Sequence, residues 1–245
     1  MPLRSFFIIP KRILLIALIM TACINRSDEQ LTEARQLMKE GKFRESVELL
    51  NNIIEQDESI ANAFNMRGVA HLELKDYATA QLDFDKAIEL EPKNYQPFFN
   101  RATLRGEKGD WDAALADINQ AVKLQPDTSE LYLKRGMIQA TKGLFNEAIG
   151  DFGKVIAMKP TDKNAYYNRG NLYFQQHDLA KAKADFEQAI KLDTKFGKAF
   201  YALGLTYIQL NQSEQGCLAL KQAEKLTYAD ASAAIKQYCE KSTVQ

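Results

Sequence analysis

One pattern of side chains returns every 34 residues, six times, from Ser27 to Asp230, without a single insertion or deletion. The units are 27–60, 61–94, 95–128, 129–162, 163–196 and 197–230. The eighth residue of each is Ala34, Gly68, Ala102, Gly136, Gly170 or Gly204, and the twentieth is Ser46, Ala80, Ala114, Ala148, Ala182 or Gly216. Small residues at two fixed places predict two antiparallel helices that approach closely where neither carries bulk, with larger side chains filling the space on either side. A period of this length builds a stack in which each unit meets only its neighbours.

The larger side chains keep the same schedule. The fourth position is aromatic in five units, as Phe64, Phe98, Tyr132, Tyr166 and Phe200. The seventeenth opens the second helix with Phe43, Tyr77, Trp111, Phe145 or Leu179, and the twenty-fourth is Leu50, Phe84, Ile118, Phe152, Phe186 or Leu220. Within the second helix these fall at i, i+3 and i+7 with the small residue, one face of a 3.6-residue period. Gly41, Gly109, Gly143 and Asn211 mark the turn between helices, with Lys75 and His177 as departures, and Pro92, Pro126 and Pro160 follow the second helix. Glycine or asparagine at such a turn tolerates a left-handed backbone, and proline falls where no further helical N–H is needed.

Together these residues resemble the tetratricopeptide-repeat family over 27–230. Ala165-Tyr166-Tyr167-Asn168-Arg169-Gly170, followed by Ala182, Phe186 and Ala189, carries the likeness most clearly. The end units diverge, with Gln30 and Glu33 in the first and Ser213 in the sixth, as expected of units that face solvent. The resemblance implies an all-α fold, an α-α superhelix (TPR solenoid) of six helix-turn-helix repeats plus a C-terminal capping helix. Residues 231–245 supply that helix and a tail, with Ala231, Ala234, Ile235 and Tyr238 on its apolar side.

Arg67, Arg101, Arg135 and Arg169 hold the seventh position of the middle four units, and Asp83, Asp117, Asp151 and Asp185 the twenty-third. The first and last units lack both. Residue types that appear and vanish together predict structural ion pairs, each Arg with the Asp of its own repeat or of a neighbour.

The resemblance also implies a concave groove lined by the second, fifth, sixth and ninth positions of the first helices. These include Asn65, Phe99, Asn100, Lys134, Met137, Tyr167, Asn168, Asn171 and Tyr201, with Asn62, Met66, Gln96, Asn164 and Lys198 beside them. Asparagine amides serve a peptide backbone and the aromatic rings offer flat apolar area. The Lys, Asn and Arg clamp by which some members hold a terminal carboxylate is absent.

The chain begins with Arg4, Lys11 and Arg12 and no acid before an apolar run from Ile13 to Met20. The run is too short to span a bilayer and has the form of a secretory signal. Met20-Thr21-Ala22-Cys23 is similar to a bacterial lipobox, with Met20 in place of the preferred leucine, which implies a signal peptide over 1–22, lipidation at Cys23 and a short tether over 23–26; an uncleaved anchor and an ordinary secretory signal are the alternatives. Ser27-Asp28-Glu29-Gln30 reads as a capping box that starts helix at once.

Without residues 1–22 the chain holds 29 basic and 32 acidic residues, which gives no reason to expect nucleic acid. No phosphate loop, nucleophile elbow or metal-binding pattern occurs, so no catalytic residue, metal or cofactor is expected. Cys217 and Cys239 fall at similar height on either side of a turn near Tyr228; a disulfide is open to them in an oxidising compartment, and two half-buried thiols is the simpler expectation.

These readings point to a non-catalytic, lipid-anchored scaffold of the cell envelope that faces the periplasm, with the outer membrane preferred and the outer face of the inner membrane left open, and with another protein or peptide as partner. Architecture of this kind resembles that of bacterial repeat lipoproteins that assist pilus, secretin or outer-membrane protein assembly or organise wall enzymes. Two alternatives stay open: an accessory that binds a small ligand such as a cell-wall fragment, and a cytosolic co-chaperone-like adaptor.

Overall fold

The structure, a computed structural model, describes residues 27–240. The expectations placed on the leader, on Cys23, on the tether and on the tail lie outside these residues. Among the described residues every regular element is a helix. Helix α1 covers 27–39; then come α2 (Phe43–Gln56), α3 (Ala61–Glu73), α4 (Tyr77–Leu90), α5 (Tyr95–Glu107), α6 (Trp111–Leu124), α7 (Ser129–Thr141), α8 (Phe145–Met158), α9 (Lys163–Gln175), α10 (Leu179–Leu192), α11 (Gly197–Gln209), α12 (Ser213–Lys225) and α13 (Ala231–Tyr238). The even helices from α2 to α12 start 34 residues apart, and so do the odd ones from α3 to α13. The chain divides into two compact units, one ending at Lys108 with α1–α5 and one starting at Gly109 with α6–α13.

The small residues act as the spacing required. A Cβ placed on Gly68 would lie 2.7 Å from the Phe84 ring, and one on Gly136 or Gly170 would lie 2.8 Å from the ring of Phe152 or Phe186. In the last pair a Cβ on Gly204 would meet Leu220 at 2.8 Å. The large residue of the second helix therefore rests on bare backbone of the first. Phe84, Phe186 and Leu220 are fully buried, and each such burial is worth about 1.5–3 kcal/mol. In the first pair the contact is between Ala34 and Ser46, whose hydroxyl donates to the Ala34 carbonyl at 3.1 Å.

The turns follow the same logic even where the residue is unfavourable. Gly41, Gly109 and Gly143 have φ of 74°, 79° and 77°, and Asn211 has 60°. Lys75 and His177 adopt φ of 62° and 60° in the corresponding turns, although a side chain makes this conformation costly. Second helices are also capped by a signal that the repeat reading passed over. Asp76, Asp110 and Asp178 precede α4, α6 and α10 and accept from the backbone N–H of Thr79, Ala113 and Lys181, which satisfies donors that the helix leaves unpaired.

Three expectations need correction. Gln30 Oε1 is buried without a hydrogen bond, so the reciprocal half of the capping box does not form. On α13, Ala231, Ala234 and Ile235 are buried while Tyr238 is 36% exposed, with no later helix among the described residues to cover it. Cys217 and Cys239 are joined in a disulfide with Cα atoms 5.7 Å apart, and are not two separate thiols. The α12–α13 turn brings the two cysteines to one level, within bridging reach.

Candidate functional site

Within each unit the first helices of successive pairs touch: α3 meets α5 in one, and α7 meets α9 and α9 meets α11 in the other. The positions assigned to the groove lie on these helices, and the ion pairs hold the helices in place.

Arg67 donates through Nε and Nη2 to the two carboxylate oxygens of Asp83 at 3.0 and 2.6 Å, and Arg169 does the same to Asp185 at 2.8 and 2.8 Å. Arg135 grips Asp151 in the same fork. The acids are almost fully buried, and hydrogen bonding to them raises the pKa of Arg135 and Arg169. Each Arg also lies over the aromatic ring at its repeat's fourth position, Phe64, Phe98, Tyr132 or Tyr166. A backward link was not anticipated. Arg67 Nη1 donates to Asn51 at 2.7 Å and Arg135 Nη1 to Asn119 at 3.2 Å. Arg101 pairs with Asp85, which occupies the same place in the preceding repeat; Asp117 is buried on α6. Three repeats thus present a polar side chain at the twenty-fifth position to the Arg that follows. The fourth presents Gly153, whose added Cβ would stand 3.8 Å from Arg169 Nη1.

In the first unit the structure brings Asn65 and Asn100 together: the Asn100 amide donates to the Asn65 side-chain carbonyl at 2.9 Å, and Asn65 is only 7% exposed. Asn65 is therefore a link between successive first helices. Phe99 lies half-buried on α5 beside Asn100.

In the second unit Tyr167, Asn171 and Tyr201 converge. With Phe174, Ala202, Leu205 and Tyr228 they line a recess of about 130 Å³. Tyr167, Asn171 and Phe174 form one stripe of α9, and Tyr201, Ala202 and Leu205 one stripe of α11. Tyr228 enters from the turn before α13, its ring centroid 4.9 Å from that of Tyr201. Burial first, then nearby Asp230, raises the Tyr201 phenol, and burial first, then Tyr167, raises that of Tyr228. Lys134 and Asn168 are half-buried and Met137 is 48% exposed; none of the three lines the recess.

Two lining residues had a legible signal that was not used. Leu205 is a ninth-position residue, and Tyr228 stands where three earlier units carry Pro92, Pro126 and Pro160. At the edge of the recess Lys198 places its ammonium 4.5 Å from the centre of the Tyr167 ring and 4.9 Å from that of Phe196. Burial, and then the charge of Lys163, lowers its pKa.

Sequence profiles described as tetratricopeptide repeat match residues 61–94, 99–164, 164–196 and 197–230, together more than half of the chain. A segment of 78 residues is 32% identical to the rhomboid protease GluP of Bacillus subtilis, covering 32% of this chain and 15% of that protein. Among solved structures, PilW, a widely conserved type IV pilus biogenesis factor, superposes with a TM-score of 0.76 at 16% identity over 85% of this chain and 97% of its own. Pseudomonas aeruginosa pilF gives 0.75 at 14% identity, covering 84% and 93%. YrrB, a repeat protein with an unusual peptide-binding site, gives 0.66 at 17% identity, covering 77% and 97%. At these identities the likeness is one of fold.

Proposed function

Since the chain belongs to the tetratricopeptide-repeat family, we propose that it is a non-catalytic scaffold whose first-helix face binds an extended segment of another protein, and that it works in the cell envelope, tethered by lipid at Cys23. The observation that carries the binding role is the aromatic recess between α9 and α11, where three residues at groove positions implied by the family resemblance, Tyr167, Asn171 and Tyr201, line one cavity. Two flat rings and an amide suit a side chain and the peptide group next to it.

The volume favours a peptide over a free small ligand. Pockets for ligands of drug size run to roughly 300–1,000 Å³, and this one, at about 130 Å³, is the size of a seat for one side chain. The Cys217–Cys239 disulfide supports work in an oxidising compartment, where such bonds persist. A role in assembling a surface structure, the setting in which PilW acts, fits both features and rests on fold likeness.

A photo-crosslinking residue at position 171, activated in living cells, tests the binding role. Discrete adducts with another protein are expected; absence of adducts there, with adducts from an exposed site on α12, would overturn it. Fatty-acid labelling of the chain and of its Cys23→Ala variant tests the tether, with label expected only in the former.

A further inference from the structure

We propose that the recess in the second unit selects an apolar side chain flanked by a carboxylate, and that Lys198 is the cation which pairs with that carboxylate. This rests on the peptide-binding role and adds the chemistry of the segment bound.

Four observations carry it. Lys198, Tyr201, Ala202 and Leu205 fall at i, i+3, i+4 and i+7 of α11, so the ammonium and one wall of the recess share a helix face. The ammonium lies against the Tyr167 ring, which is itself part of the lining. Lys198 is half-buried and makes no ion pair among the described residues. The acids nearby are placed elsewhere: Asp193 pairs with Lys163, and Asp230 acts on Tyr201 and Tyr228 but is not among the charges felt by Lys198.

A partly desolvated cation held on aromatic faces, with a second cation close by, is a charge without its counter-ion. An arriving carboxylate supplies it and forms a charge-assisted hydrogen bond in a setting drier than bulk water. A basic residue at the same place adds a third positive charge beside Lys163 and Lys198. The recess itself is lined by Phe174, Ala202, Leu205, three tyrosine rings and Asn171, with no acidic or basic side chain among them, which suits an apolar anchor. The two halves therefore demand different chemistry from adjacent groups of one ligand. The carboxylate has two sources, an acidic side chain next to the apolar one or the end of a polypeptide.

The test uses the full chain in detergent, with tyrosine rings isotopically labelled, titrated with four synthetic peptides. Acetyl-Ser-Phe-Glu-Ser-amide carries a side-chain carboxylate, and acetyl-Ser-Ser-Phe with a free terminus carries a terminal one. Acetyl-Ser-Phe-Gln-Ser-amide is neutral and acetyl-Ser-Phe-Lys-Ser-amide is basic. At least one acidic peptide is expected to shift the Tyr167, Tyr201 and Tyr228 signals with an affinity about tenfold above the neutral peptide. The better of the two identifies the source. Lys198→Gln should erase that preference, so that the acidic and neutral peptides bind that variant alike, and Lys198→Glu should transfer it to the basic peptide. Equal binding of all four peptides to the unaltered chain, or binding of none, overturns the inference. Neither result touches the crosslinks from position 171, which judge the binding role separately.

Discussion

Arg135 and Asp151, on neighbouring antiparallel helices, are joined by two parallel hydrogen bonds of 2.6 and 2.8 Å, and the same guanidinium donates its third nitrogen to Asn119 on the helix before. One side chain thereby fixes the two helices of its repeat and the last helix of the repeat behind it.

Removing Asp151 as Asp151→Ala leaves a part-buried guanidinium without its acid and should destabilise by about 3 kcal/mol. Arg135→Ala should have a similar effect. The double variant should fall short of the sum by about 0.5–3 kcal/mol. Chemical denaturation of the four proteins measures the coupling, and strict additivity would mean that the two residues do not act as a pair.

Arg169 makes the fork to Asp185 but faces Gly153 where its counterparts face Asn51, Asp85 or Asn119. Gly153→Asn should supply the missing acceptor and remove a glycine from the middle of α8. The gain should be about 1 kcal/mol from hydrogen bond and helix propensity together. A thermal midpoint no higher than that of the parent would show that the backward link contributes nothing.

His177 holds φ of 60° in an exposed turn where Gly143 holds 77°. His177→Gly relieves the clash of Cβ with the backbone but loosens the unfolded chain, so the net gain should be about 0.5–1 kcal/mol. Lys75→Gly should behave alike, and differential scanning calorimetry of the two variants provides the check. Loss of stability in both would locate the strain elsewhere.

Asp178 caps α10, and hydrogen bonding from the Lys181 side chain, then from its backbone N–H, holds the carboxyl below its usual range. A folded-state pKa below the unfolded one contributes stability that is present above the unfolded value, about 3.9, and lost as pH falls through the folded one. Asp178→Asn keeps the cap but not the charge. It should be less stable than the parent near neutrality, with the gap closing below about pH 4. A gap unchanged at pH 2 would exclude the charge as its source.

Much of this arrangement was legible because a repeat lets six weak signals be read against one another. Gly136 alone says little; Gly136 in phase with Gly68, Gly170 and Gly204 says that a large side chain of the second helix lies on the backbone there. The Arg and Asp positions were legible for the same reason, through their joint absence from the end units. What escaped breaks the period. Tyr228 replaces the proline found in three units, so periodic reasoning passed over it, yet it closes the recess beside Tyr201. The bond between Cys217 and Cys239 depends on which way two side chains face across a turn, which spacing does not state. Asn65 was read as a groove residue because its position permits that; its burial comes from Asn100, 35 residues on.

A column of helices in which each layer leans on the next is weakest at its ends, where the outermost layer has a neighbour on one side only. The covalent bond at Cys217 and Cys239 pins α13, the final helix among the described residues, to α12. Local opening of α13 away from α12 is thereby opposed. Tyr201 and Leu205, which pack against Ala234 and Ile235 of α13, keep their footing for as long as that bond stays oxidised, so the redox state of the surroundings is written into the rigidity of the pocket floor.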